Sequence, residues 1–185
     1  SPTVFGAKSK WLYAGAQYLY RSKDRGNTWE RISPDLTTNN PWRQRQEQTG
    51  GLTIDNSTAE NNTTIISIAE SPFNEQLIWV GTDDGNVQLT RDGGASWNKL
   101  NDRITGLPDS AFISEIEPGR FIEGEAFLTV DAHRNGDMKP YVFYTDDFGQ
   151  TWRSLVTDKL DSYCHTIKQD LVNENILFLG TEFGL

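Results

Sequence analysis

The sequence predicts an all-β fold built from repeated four-stranded antiparallel sheets. Three observations predict it: one eight-residue turn pattern occurs three times, a pair of short apolar segments leads into each copy, and another short apolar segment opens the next unit. Self-similarity at intervals of tens of residues marks a repeat architecture.

The turn pattern reads hydroxyl, any, Asp, any, Gly, any, hydroxyl, Trp. It stands as Ser22-Lys-Asp24-Arg-Gly26-Asn-Thr28-Trp29, Thr90-Arg-Asp92-Gly-Gly94-Ala-Ser96-Trp97 and Thr145-Asp-Asp147-Phe-Gly149-Gln-Thr151-Trp152. This is β-hairpin chemistry: Asp accepts backbone N–H bonds, Gly supplies the positive φ of a tight reversal, and Ser or Thr ties the loop down. The closing Trp is read as a buried anchor, because an indole takes about 150 to 250 Å² out of water. On that reading Trp97→Ala costs about 3 to 5 kcal/mol. A turn repeated once per unit is scaffold, since an active site is not built in several equivalent copies. Asp24, Asp92 and Asp147 are therefore assigned to structure, with Gly26, Gly94, Gly149 and the three indoles.

The flanking segments are apolar and rich in β-branched and aromatic residues, which reads as strand. One set is Trp11 to Gly15, Ile78 to Thr82, Ala126 to Asp131 and Ile176 to Thr181. After turns at Ala16-Gln17, at Asp84-Gly85 and over 132–139 come Tyr18 to Arg21, Val87 to Thr90 and Tyr141 to Thr145, each running into a turn pattern. Strands are expected to restart at each Trp, over Trp29 to Ile32, Trp97 to Leu100 and Trp152 to Val156. The next unit opens at Thr64 to Ala69, Phe112 to Glu117 and Tyr163 to Lys168. Four antiparallel strands per unit make a propeller blade.

The turn patterns, together with Ile32-Ser-Pro34-Asp35-Leu36-Thr37, Ile68-Ala69-Glu70-Ser71-Pro72, Ile78-Trp79-Val80-Gly81-Thr82-Asp83-Asp84-Gly85 and Pro140-Tyr141, resemble the Asp-box (BNR) β-propellers of the sortilin/Vps10-like family. The bacterial branch of exported proteins labelled glycosyl hydrolase is the nearer likeness. Sorting receptors of the group carry a cysteine-rich module, whereas this chain has one cysteine, Cys164, read as a small buried core residue. The resemblance implies a secreted, periplasmic or cell-surface protein with a broad, rigid rim suited to a protein, peptide or carbohydrate ligand. Asp-boxes also occur in sialidases and xyloglucanases, so a part of a glycoside hydrolase is the alternative.

Length and charge narrow the classes. The 185 residues hold 36% hydrophobic and 11% aromatic residues, enough for a core, and no apolar run approaches the roughly 18 residues of a membrane span. A net charge of -9 opposes a phosphate backbone, which excludes nucleic acid as an expected partner. Units fall at roughly 1–33, 63–101, 112–156 and 163–185, separated after the first by a long loop at 34–62. Propellers close with about four to eight blades. The sequence is expected to be part of one propeller domain whose open faces are covered by the remaining blades of a parent propeller or by self-association.

Candidate ligand residues come from loops facing away from the turn patterns. The long loop carries Trp42, Arg43, Arg45 and Glu47, suited to stacking on a sugar ring and bonding its hydroxyls, or to packing back on the blade. Its acceptor motifs at Asn56, Asn61 and Asn62 mark it as polar and exposed. Asp83-Asp84-Gly85-Asn86 is explained as a type I′ turn without any ligand. In the segment Asp131-Ala-His133-Arg134-Asn-Gly-Asp137 a His, an Arg and two carboxylates share one loop, suited to ligand binding by His133 and Arg134, with Asp131 and Asp137 as catalytic candidates if the chain is an enzyme. A glycosidase carboxyl pair has to be assembled across blades, from Asp83, Asp84, Asp131, Asp137 and Glu182. No metal and no cofactor is expected: a site needs three or four ligands, and the other histidine, His165, belongs to a different strand.

Overall fold

The computed structural model of the chain describes residues 2–42, 44 and 62–184. Arg43, Arg45 and Glu47, with the acceptor motifs at Asn56 and Asn61, lie outside the described residues. The chain is all-β, a succession of propeller blades. Sheet one pairs β1 (Thr3–Phe5), β2 (Leu12–Gly15), β3 (Leu19–Ser22) and β4 (Glu30–Arg31) in chain order. Sheet two is β5 (Ile65–Glu70), β6 (Ile78–Thr82), β7 (Val87–Thr90) and β8 (Asn98–Lys99). Sheet three is β9 (Phe112–Pro118), β10 (Ala126–Asp131), β11 (Tyr141–Thr145) and β12 (Arg153–Ser154), and β13 (Cys164–Gln169) pairs with β14 (Leu177–Thr181) in the fourth. Every pairing is antiparallel.

The turn pattern folds identically three times. The buried first hydroxyl donates to the Asp Oδ1, at 2.8 Å from Ser22 and Thr90 and 2.9 Å from Thr145. The same hydroxyl accepts the N–H of Gly26, Gly94 or Gly149. The second hydroxyl donates to the other carboxylate oxygen at 2.6 Å in all three copies. Each Asp is thus saturated by its own loop. These hydroxyl and N–H bonds hold Asp24 and Asp92 down at about 2. In Asp147 burial works the other way, and the bonds from Thr151 and Thr145 outweigh it to lower the carboxyl. A depressed carboxyl stabilises the fold above the unfolded value near 4 and loses that contribution as pH falls through the folded value. The thermal midpoint should therefore drop between about pH 4 and pH 2, and Asp92→Asn should flatten that drop in a melting series.

Two expectations about these turns are corrected. The fourth strands are two residues long and start after the Trp, because the loop's hydrogen bonds hold the chain off the ladder until then. Nor are the three indoles equally covered. Trp97 is half-buried on sheet one, where its Nε1 donates to Ile32 O at 3.0 Å, and Trp152 is half-buried on sheet two. Each therefore lies on the sheet before its own. Sheet one is the first in this sequence, and Trp29 is 42% exposed, its Nε1 bonded within its own loop to Gly26 O.

The blades are locked together by polar residues at repeated places on the first strands. Ser67 Oγ accepts the N–H of Ile116, and Glu115 accepts that of Ile167, one sheet further on in each case. The ends of β5 and β13 reach back into the preceding sheet. Gln169 accepts Arg120 N and donates to Glu125, whose carboxyl burial pushes up. Buried Glu70 accepts Lys8 N at 2.6 Å, Ser9 N at 2.7 Å, Ser9 Oγ at 2.5 Å and Tyr13 Oη at 2.6 Å. Burial, then Glu70 itself, drives the Tyr13 hydroxyl well above the usual tyrosine range. Glu70→Gln removes the charge from those bonds and turns one acceptor into a donor. Denaturant titration should show a loss of about 2 kcal/mol.

Candidate functional site

The antiparallel order puts the 2–3 turns and the connections between sheets at one end of the blades, opposite the Asp turns. Asp83-Asp84-Gly85 is structural there, in a form other than type I′. Only Gly85 has positive φ, its N–H returns to Thr82 O, and Thr82 N bonds Asn86 O, a three-residue loop ending in a bulge. Buried Asp84 accepts Thr82 Oγ1 at 2.5 Å, Thr38 N at 2.7 Å and Thr38 Oγ1 at 2.6 Å, which fastens the segment before residue 43 to sheet two. Asp83 accepts Thr64 N at 2.7 Å. Trp42 stands 68% exposed on that segment.

The loop after β10 begins with a single 3₁₀ turn, His133–Asn135, closed by Gly136 at φ 81°. It separates the sequence candidates. Asp137 accepts Tyr141 Oη at 2.6 Å and Lys139 N at 3.1 Å; the tyrosine bond, then the amide, lowers its carboxyl. The Arg134 guanidinium lies 5.3 Å from the Phe112 ring centroid. Asp131 and His133 turn to each other instead. Asp131 Oδ1 accepts His133 Nδ1–H at 2.6 Å and His133 N–H at 2.9 Å.

The fourth sheet completes the group. Residue 165 is the extra one where the β13–β14 register shifts, so the chain buries Cys164 and sends both His165 and Thr166 outward. His165 Nδ1 reaches Asp131 Oδ2 at 3.8 Å and its Nε2 lies 3.3 Å from Glu182 Oε2. Tyr163 stacks on His133 with ring centroids 4.6 Å apart and meets His165 edge-on at 5.1 Å. Its hydroxyl bonds Glu182, which raises the phenol and, with His165, lowers the Glu182 carboxyl. Burial raises the neighbouring Cys164 thiol.

His165 therefore does not stand apart from the Asp131 loop, as its place in another strand suggested. The signal was in the register: Thr82, Val130 and Thr181 hold equivalent positions on second strands, and each is followed by an acid, Asp83, Asp131 and Glu182. The start of the first strand in the same sheet lies beside that acid, as Thr64 does beside Asp83 and Tyr163 beside Glu182, and Asp131 meets the start of the next sheet's first strand at His165. Among the described residues no group of three or more His, Cys, Asp or Glu is arranged to hold a metal ion.

Residues 143–154, which contain the third turn, match the BNR/Asp-box repeat. No curated protein matches the sequence. Among solved structures the chain is similar to an ancestral GH74 enzyme, at 16% identity over 96% of this chain and 21% of that one, with a TM-score of 0.65. It is also similar to the GH74 xyloglucanase from Xanthomonas campestris, at 17% identity over 98% of this chain and 26% of that one, TM-score 0.57. YCF48 bound to a D1 peptide gives 18% identity over 90% of this chain and 44% of that one, TM-score 0.51. The chain spans less than half the length of each, and likeness at these identities is one of fold.

Proposed function

We propose that this chain belongs to a non-catalytic propeller module that binds a protein, peptide or glycan ligand at the Asp131–His133–Tyr163–His165–Glu182 group. One observation carries the reading: loops of two neighbouring sheets present a carboxylate, Glu182, two imidazoles and a phenol that are partly exposed yet fixed by bonds to one another and to the buried Asp131. A group ordered before the ligand arrives loses less entropy on binding. The YCF48 structure, which holds a D1 peptide, supports a peptide on such a scaffold. Trp42 belongs to the same end of the blades and extends the surface.

The GH74 likeness favours the alternative, part of a glycoside hydrolase. Such a site needs two carboxyls flanking a scissile bond. Here the His165 ring stands between Asp131 and Glu182, and Asp137 is spent on Tyr141. The reading also places the chain in an exported sortilin/Vps10-like protein, with further blades or a second copy covering the end sheets. A monodisperse monomer in light scattering, with a sharp melt, would remove the second-copy arm.

Peptide and glycan arrays, run beside xyloglucan hydrolysis, test the function. The expected result is retention on an array that Tyr163→Ala abolishes, with no release of reducing sugar. Turnover lost in Asp131→Asn or Asp137→Asn would overturn the assignment.

A further inference from the structure

We infer that the group after β10 and β14 is an arginine-recognition site, the ligand being an arginine side chain of a peptide; this rests on the binding reading above. The half-exposed Glu182 carboxylate stands there, with the buried Asp131 on the other side of the His165 ring, and among the described residues the ion-pair partners of both are the imidazoles of His133 and His165 alone. The nearest guanidinium in sequence, Arg134, is turned onto Phe112. The contrast lies on the same two sheets. Glu115 and Glu117 are both paired with Lys168, and Glu117 also with Arg120. Those two acids are thus neutralised by lysine and arginine, whereas the half-exposed Glu182 at the rim has an imidazole as its ion-pair partner and is left to a cation from outside.

The shape of the group fits a guanidinium better than an ammonium. His165 and Glu182 expose 45% and 47% of their side chains and His133 exposes 35%, so ring faces and a carboxylate edge are open together. A guanidinium is planar and weakly hydrated. It stacks on rings while its fork of N–H groups meets a carboxylate, which a compact, strongly hydrated ammonium does less well. Glu182 is already oriented by the Tyr163 hydroxyl and by His165, and the -9 charge of the whole chain attracts a cation from a distance.

The test uses the intact chain, isothermal titration at low salt, and Gly-Arg-Gly and Gly-citrulline-Gly peptides, which differ by one charge at nearly constant shape. The arginine peptide should bind, shift the imidazole resonances of His133 and His165, and weaken at least tenfold in Glu182→Gln and in high salt; the citrulline peptide should not bind. Glu182 is half-exposed, and a melting curve checks that the variant folds. Equal affinity for both peptides, no affinity for either, or arginine affinity unchanged in Glu182→Gln overturns the arginine site. An array ligand lost in Tyr163→Ala but indifferent to charge would keep the binding module and discard the arginine alone.

Discussion

Trp79→Ala should lower unfolding free energy by about 4 kcal/mol, whereas Trp29→Ala should cost about 1 kcal/mol or less. Trp79 is 0% exposed in β6, packed among Leu77, Leu89, Leu100 and Ile113. The third turn closes over it: Trp152 meets it edge-on at 6.2 Å and 85°, and a Cβ on Gly149 would lie 3.3 Å from its ring. Its contribution is packing alone, for its Nε1 is the one buried side-chain N or O among the described residues with no hydrogen-bond partner. That gives the prediction a second edge. Trp79→Phe leaves a smaller cavity and removes an N–H that burial penalises, so its cost should be about 1 kcal/mol. Urea midpoints for the three variants check the order, and a Trp29→Ala loss equal to that of Trp79→Ala would reverse the account of which indole is core.

This ranking inverts what the repeat suggested. A tryptophan in every copy of the turn reads as the common anchor, and the turn itself was legible, because its hydroxyl–Asp–Gly bonds are local and their residues stand at fixed spacing. So were the strand pairs and their order, which follow from short apolar runs between turns. Burial of the indole was not legible, since it depends on the neighbouring sheet: Trp97 and Trp152 have one behind them in this chain. The rim group was half legible for the same reason. Asp131, His133 and Glu182 were visible as candidates within their loops, but His165 joins them only through a one-residue register shift in β13 and the packing of sheet four on sheet three. Asp137, four residues from His133 in sequence, goes instead to Tyr141.

Gly81→Ala should cost about 3 kcal/mol although it adds one methyl group. A Cβ there would stand 2.3 Å from Ile113 Cγ2 and 2.9 Å from Ile113 Cβ, on the first strand of the next sheet. Gly15 meets Ile65 in the same way, at 2.6 and 2.8 Å. Neither glycine has positive φ, so the requirement is space between blades. A β-branched side chain with a stiff χ1 cannot swing aside, and the sheets would have to part. The third interface solves the same problem with different residues. Thr129 holds the glycine position on β10 and Cys164 the isoleucine position on β13, with Ser114 Oγ bonded to Thr129 Oγ1 at 3.0 Å and Cys164 O at 2.9 Å. A larger residue on one side is matched by a smaller one on the other, which accounts for the lone cysteine. A double-mutant cycle makes this measurable: Gly81→Ala with Ile113→Ala should cost at least about 1 kcal/mol less than the sum of the single changes. Additive losses would mean that the two residues do not meet, and with them would go the size-matching that sets how these blades stack.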